Sequence, residues 1–488
     1  MLKKFKVGWI FVLLCLMSTS QAQNLPPKPF GPTPSSAQLA WQKMEVNMFC
    51  HFGPNTFTGK EWGEGTEPED VFNPTSLDCN QWAATAKAAG FGGIILTAKH
   101  HDGFCLWPNP ASKHTVKQSA WRKGGGDVLE ELSAACQKAE IGFGIYISPW
   151  DRNAPTYGTP KYNKVFLKTL RSALSNYGPV FEQWFDGANG EGPNGKRQVY
   201  DWPAFNNQVY ALQPAAVIFS DVGPGCRWVG NEEGKCGETC WSRLDTKGRE
   251  PGKNAPSQDT LNGGNYNGAR WIPAETDVSI RPGWFYRDSE HPKSLNELLN
   301  IYYTSVGRNS LLLLNVPPDQ RGLIAREDSL RLMEFRTALD AIFAHDLAHD
   351  AVRISASNTR GSQRDEAKTA FSPQSLLDGD YDTYWTTDDS VCSAEIALVF
   401  AESQTFNRIL LQEYIPLGQR VERFRVDVFD ENGLRRTIAR GTTIGYKRIV
   451  LTEPCTTDNL YIVIEKARAC PVLNKLALYM DTITQTTP

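Results

Sequence analysis

Pro179-Val180-Phe181-Glu182-Gln183-Trp184-Phe185-Asp186-Gly187 is the stretch on which the fold turns. Residues 179–185 read as a buried strand, and Asp186 stands where that strand would leave its sheet. In β/α barrels the rim at the carboxyl ends of the strands carries the chemistry. Asp186 is therefore the first candidate for a nucleophile, set against the plainer reading that rim aspartates often cap helices or hold the next loop.

The same rhythm extends in both directions. Apolar runs at 46–52, 93–98, 142–147, 216–219 and 310–316 read as further buried strands, with amphipathic helical stretches at 79–89, 127–140, 162–176, 202–213 and 295–306 between them. Strand alternating with helix means parallel sheet. Polar residues follow nearly every strand: His51, then Lys99-His100-His101-Asp102, Ser148-Pro149-Trp150-Asp151, Asp186 and Asp221. A ring of strand ends supplying one site is the behaviour of a barrel, and no glycine-rich phosphate fingerprint follows the first strand. The expected fold is α/β, a (β/α)8 TIM-like barrel. Residues 223–292 are irregular and rich in glycine, so units six and seven have no visible bounds there. Residues 326–343 read as a closing helix. Beyond His349, short strands at 424–429, 447–451 and 460–465 replace the rhythm and predict an antiparallel β-sandwich. The expected division is a leader over 1–22, a barrel over 23–345 and a sandwich over 346–488.

Composition narrows the function. The 488 residues carry a formal net charge of -3 with no long run of like charge, which gives no footprint for nucleic acid or an anionic membrane. Small neutral partners fit better, and the 14 Trp and 16 Tyr supply flat faces suited to sugar rings. Lys3, Lys4 and Lys6 precede an apolar run too short to span a bilayer, and Ser20-Gln21-Ala22 offers small residues for a signal peptidase. An exported chain, cleaved after Ala22 and periplasmic or secreted, is expected. No later stretch predicts a membrane span. A lipoprotein box at Cys15 is disfavoured by the bulky Leu14. Loss of the leader leaves ten cysteines, read mostly as buried thiols; Cys236 and Cys240 could bridge or bind metal, but no histidine lies near them. Nothing in the sequence speaks to oligomeric state.

Hydrolysis of a glycosidic bond needs two carboxyl groups, one ionised and one protonated. Asp186 suits the first by position. The adjacent His100 and His101 suggest a metal site at first sight, yet neighbours on a strand point to opposite faces and need a loop's freedom to share one ion. Hydrogen bonding to substrate hydroxyls is the alternative.

Four motifs in order, His51-Phe52-Gly53, Thr97-Ala98-Lys99-His100-His101-Asp102-Gly103-Phe104, Trp184-Phe185-Asp186-Gly187 and Gly283-Trp284-Phe285-Tyr286, together resemble glycoside hydrolase family 29, the retaining α-L-fucosidases. The resemblance spans roughly residues 37–340 and implies a barrel followed by a β-sandwich. It implies that Asp186 is the nucleophile, that His51, His100 and His101 hold the sugar hydroxyls, that Glu61 and Trp62 form the pair of the same pocket, and that Tyr146, Trp184 and Trp284 line it. Arg227-Trp228-Val229-Gly230-Asn231-Glu232-Glu233-Gly234 resembles the subgroup acting on α-1,3 and α-1,4 linked, Lewis-type fucose, which makes Glu232 the acid/base. Its neighbour Glu233, and Glu275 in a second loop, are the alternatives. Trp228 and Trp241 could supply the apolar setting that raises the acid's pKa. No metal or organic cofactor is implied. Leu376-Leu377-Asp378-Gly379-Asp380 with Tyr384-Trp385 resembles the opening loop of discoidin-like domains, often carbohydrate-binding modules. Two other readings stay open: a metal-dependent barrel hydrolase using the His100-His101-Asp102 cluster, and a non-catalytic sugar-binding protein acting through the sandwich.

Overall fold

The computed structural model describes residues 25–362, 369–430 and 432–484. The expected leader lies outside the described residues. The described residues divide into two compact units, one over residues 34–341 and one that joins those from 342 to 484 with residues 25–33.

The first unit is a closed barrel of eight parallel strands. They are β1 (Val46–Cys50), β2 (Gly93–Lys99), β3 (Gly142–Ile147), β4 (Glu182–Trp184), β5 (Val217–Ser220), β6 (Cys226–Trp228), β9 (Ala274–Ser279) and β10 (Ser310–Asn315), closed by the pairing of β1 with β10. Every residue of β1, β2, β9 and β10 is buried, as expected of strands covered on both faces. A small antiparallel pair, β7 (Arg243–Leu244) with β8 (Arg270–Trp271), is inserted between barrel strands six and seven. This insertion fills the span whose units the sequence left without bounds. Glu275, expected in a loop, lies on β9.

The helices begin where local chemistry allows. Asp127 accepts from the Glu130 N–H and starts Val128–Ala139, whose residues Val128, Leu129, Leu132, Ala135 and Cys136 form one buried face. Ser294 and Glu297 form a reciprocal capping box at the start of Leu295–Thr304. The helix Cys79–Ala88 starts at Asp78, which accepts from two backbone N–H groups.

The second unit is antiparallel throughout. Strands β11 (Ala351–Ala356), β12 (Trp385–Thr386), β13 (Ala394–Glu413), β14 (Val421–Phe429), β15 (Arg435–Gly441), β16 (Arg448–Ala467) and β17 (Val472–Tyr479) wrap a core that includes Trp385, Phe406, Phe424 and Ile462. The two 20-residue strands β13 and β16 pair with breaks of register, where one strand can turn from one layer to the next. The sequence reading put residues 23–33 with the barrel, but the described residues among them, 25–33, group with this unit. Arg420 donates to the Lys28 carbonyl at 2.7 Å, Arg360 to the Leu25 carbonyl at 2.6 Å, and Phe30 N to the Leu417 carbonyl at 3.0 Å. Nine of the ten described cysteines are buried thiols; Cys236 and Cys240 share a small core with Val229 and Ala274. Among the described residues no helix is long and apolar enough to cross a membrane.

Candidate active site

Phe49, His51, Glu61, Trp62, His100, His101, Tyr146, Trp184, Asp186, Glu232, Asp277 and Trp284 line one cleft. Most of them sit at or just beyond the carboxyl ends of the barrel strands. All ten of the leading site residues expected from sequence are in this set; Phe49 and Asp277 are additions.

Asp186 leaves β4 two residues after its last paired position, Trp184. The Tyr146 hydroxyl donates to its Oδ2 at 3.1 Å and the Ala188 N–H to its Oδ1 at 2.7 Å, while His101 Nε2 lies 3.6 Å away.

Glu232 follows β6 on a turn. Burial raises its pKa, the charges of Asp186 and Glu61 raise it further, and the indole N–H of Trp284, 3.2 Å from Oε2, opposes them. One carboxyl is thus supplied with donors and the other is pushed toward its acid form.

Burial disfavours the charged form of the three cleft histidines. Burial lowers His51 to about 3 and His101 to about 4, and drives His100 well below the usual range. Asn315 gives both its amide protons away, to Ser279 Oγ at 2.9 Å and to the Trp284 carbonyl at 2.8 Å. Its Oδ1, 2.9 Å from His51 Nδ1, is therefore the acceptor, so His51 carries its proton on Nδ1 and keeps Nε2 as an acceptor. His101 Nδ1 is held 2.7 Å from Ser148 Oγ. Both adjacent histidines reach the cleft because β2 ends at Lys99, which frees the next two residues from strand alternation. The group of donors that the described residues bring within reach of a single metal ion is not the histidine cluster but Glu182, Cys226 and Glu275.

Aromatic rings supply the walls. Trp184 stacks on Phe219 at 3.8 Å and on Tyr146 at 5.2 Å, and Phe49 packs against Trp184 at 5.2 Å. Trp62 stands at the mouth, 58% exposed, edge-on to Trp150. Glu61 ties the far wall together: it accepts from Arg287 at 2.9 Å and from the backbone N–H of Trp284.

Several expectations change at this point. Glu275 is fully buried and does not line the cleft; its Oε1 accepts from Trp184 Nε1 at 2.8 Å. Glu233 is exposed and pairs with Lys235 at 3.1 Å. Neither is placed to serve as the acid. The indole beside Glu232 belongs to Trp284, whereas Trp228 donates to Asp277 Oδ1 at 2.8 Å and Trp241 packs edge-on against Tyr266. Asp277 is a buried carboxyl held well above its ordinary range by burial and by the charge of Glu232. Its sequence signal was the alternation Glu275, Asp277, Ser279, three polar residues on one face of a strand.

A wider apolar groove opens elsewhere on the barrel, bordered by Trp41, Met44 and Phe181, and it shares no lining residue with this cleft.

A parallel eight-stranded barrel whose strand ends bring unlike carboxyls and histidines into one aromatic-walled cleft is the architecture of a barrel glycoside hydrolase. Residues 33–340 match the family described as alpha-L-fucosidase. A curated relative, alpha-L-fucosidase 1 of Arabidopsis thaliana, is 43% identical over 98% of this chain and 94% of its own length. Among solved structures, the crystal structure of SpGH29 superimposes with a TM-score of 0.87 at 38% identity, covering 93% of this chain and 100% of that one. A Ruminococcus gnavus fucosidase of glycoside hydrolase family 29, solved in complex with fucose, gives 0.86 at 31% identity over 94% of this chain and 97% of its own. The chain belongs to the alpha-L-fucosidases of glycoside hydrolase family 29.

Proposed function

We propose that this α-L-fucosidase is exo-acting and retaining, and that it removes terminal L-fucose, α-1,3 or α-1,4 linked in Lewis-type fashion, from oligosaccharides or glycans. Asp186 attacks the anomeric carbon while Glu232 gives its proton to the departing glycosidic oxygen, so that the glycosidic bond breaks as the Asp186 ester forms. Water then attacks the same carbon, passes a proton to Glu232 and displaces the Asp186 carboxylate. L-Fucose leaves with its configuration retained.

The observation that carries this reading is the unlike treatment of two carboxyls in one cleft. Asp186 receives an O–H and an N–H donor, which suits a nucleophile, and burial raises Glu232, which suits an acid. His51, with Nε2 free to accept, is set to receive a sugar hydroxyl proton. The rings of Trp184, Tyr146, Phe49 and Trp284 offer an apolar surface to the methyl group of a 6-deoxy sugar. The fucose-bound Ruminococcus gnavus relative supports the sugar, and the segment Arg227 to Gly234 supports the linkage. The basic and apolar leader supports export with cleavage after Ala22, which N-terminal sequencing of the mature protein tests.

Proton NMR of an aryl α-L-fucoside during hydrolysis tests the stereochemistry. The α anomer of fucose appears first if the mechanism holds, and first appearance of the β anomer contradicts it. Digestion of defined oligosaccharides tests the linkage: release from branched α-1,3 and α-1,4 substrates is expected, and exclusive release from α-1,2 substrates contradicts it.

A further inference from the structure

Below the cleft, inside the barrel, two glutamates meet. Glu182 of β4 and Glu275 of β9 are both fully buried, and neither belongs to the cleft lining. Glu275 precedes Asp277 by two residues on the same face of β9, one layer deeper in the barrel.

Their four oxygens can be accounted for one at a time. Glu182 Oε2 accepts from Trp41 Nε1 at 2.6 Å, and Glu182 Oε1 faces the Cys226 thiol at 3.7 Å. Glu275 Oε1 accepts from Trp184 Nε1 at 2.8 Å. Glu275 Oε2 is buried and has no donor, and one oxygen of each glutamate and the Cys226 Sγ all lie within 4.8 Å of one another. Three N–H and S–H donors serve four oxygens, and two ionised carboxylates have nothing to give each other. A single proton between them satisfies all four. No cationic side chain appears among these contacts, so one negative charge is also easier to bury than two.

The geometry points to one proton shared by Glu275 and Glu182 that fixes the indole of Trp184, making both glutamates positioning residues for the reaction in the cleft above. The link to chemistry runs through stacked rings. Trp184 lies 9° from parallel with Phe219 and 28° from parallel with Tyr146, and the hydroxyl of Tyr146 donates to Asp186. A rotated Trp184 would displace Tyr146 and with it a donor to Asp186; this last step rests on the reading of Asp186 as nucleophile. Burial pushes Glu182 up to about 7, and burial together with the charge of Glu182 drives Glu275 far above its ordinary range, in agreement with the shared proton. The same three side chains could instead grip a divalent cation, and the test separates the two occupants.

The experiment compares the full-length enzyme with its E275Q and E275M variants. Glutamine keeps an acceptor for Trp184 and an N–H donor for Glu182, so it imitates the protonated acid; methionine keeps the bulk and offers neither. The infrared difference spectrum of wild type minus E275Q is expected to show one carboxylic-acid carbonyl band. E275Q is expected to hold kcat/KM close to wild type on an aryl fucoside, and E275M to lose between about ten- and a hundredfold. No acid band in the difference spectrum, equal impairment of the two variants, or one equivalent of divalent metal in the purified protein overturns the proposal. The band needs no turnover, so E275Q alone decides the matter if E275M fails to fold. Failure of the Asp186 assignment would show instead as activity surviving in an Asp186→Ala variant.

Discussion

The indole N–H of Trp284 lies 3.2 Å from Glu232 Oε2, and the backbone N–H of the same residue donates to Glu61. One residue therefore forms the cleft wall and solvates the proposed acid through its side chain, and is itself held through its backbone by a second carboxylate.

That donor stabilises the ionised form of Glu232. Trp284→Phe keeps the apolar wall but removes the donor, so the pKa of Glu232 rises. An acid must be protonated to act, so the alkaline limb of kcat/KM should move to higher pH while peak activity falls. A pH–rate profile of the variant checks both.

Glu61 acts with the opposite sign, since its negative charge raises Glu232. Glu61→Gln should move the same alkaline limb to lower pH. It also loosens Arg287 and the Trp284 backbone, so KM should rise. Shifts of equal sign in the two variants would count against Glu232 as the group that titrates.

Tyr146→Phe removes the hydroxyl that donates to Asp186 but keeps the ring stacked on Trp184. A hydrogen bond to a charged group contributes about 1.5–3 kcal/mol. Activity should fall roughly ten- to a hundredfold. Thermal unfolding should move little by comparison, because the ring and its packing stay.

Burial holds His51 at about 3 and His101 at about 4. Neither imidazole should change protonation between about pH 5.5 and 8. Nitrogen-15 shifts of the histidine rings across that range check it directly: flat curves are expected for both.

The sequence displayed most of the barrel because β1, β2, β3, β5 and β10 are continuous apolar runs, the mark of strands buried on two faces. Two strands were hidden for opposite reasons. β6 has three residues, too few for any period to show. β9 turns Glu275, Asp277 and Ser279 inward, so a buried strand carries the polarity of a loop. That disguise also concealed Asp277 as a cleft residue and misplaced Glu275. The proposed catalytic pair and the histidines were legible because several motifs agreed in order. Phe49 was not, since an aromatic residue on a buried strand reads as core and only closure of the barrel turns it toward the cleft. The grouping of residues 25–33 with the second unit rests on backbone carbonyls that accept from Arg360 and Arg420, contacts without a side-chain signature in the segment itself.

Covalent capture tests the double displacement most directly. A 2-deoxy-2-fluoro-fucosyl fluoride destabilises the positive charge of both transition states while its good leaving group lets the first step proceed, so the ester intermediate accumulates. Peptide mapping by mass spectrometry should find one fucosyl adduct on the peptide carrying Asp186, with Asp186 as the modified residue. An adduct on another carboxylate, or complete inhibition without any adduct, would contradict the assignment.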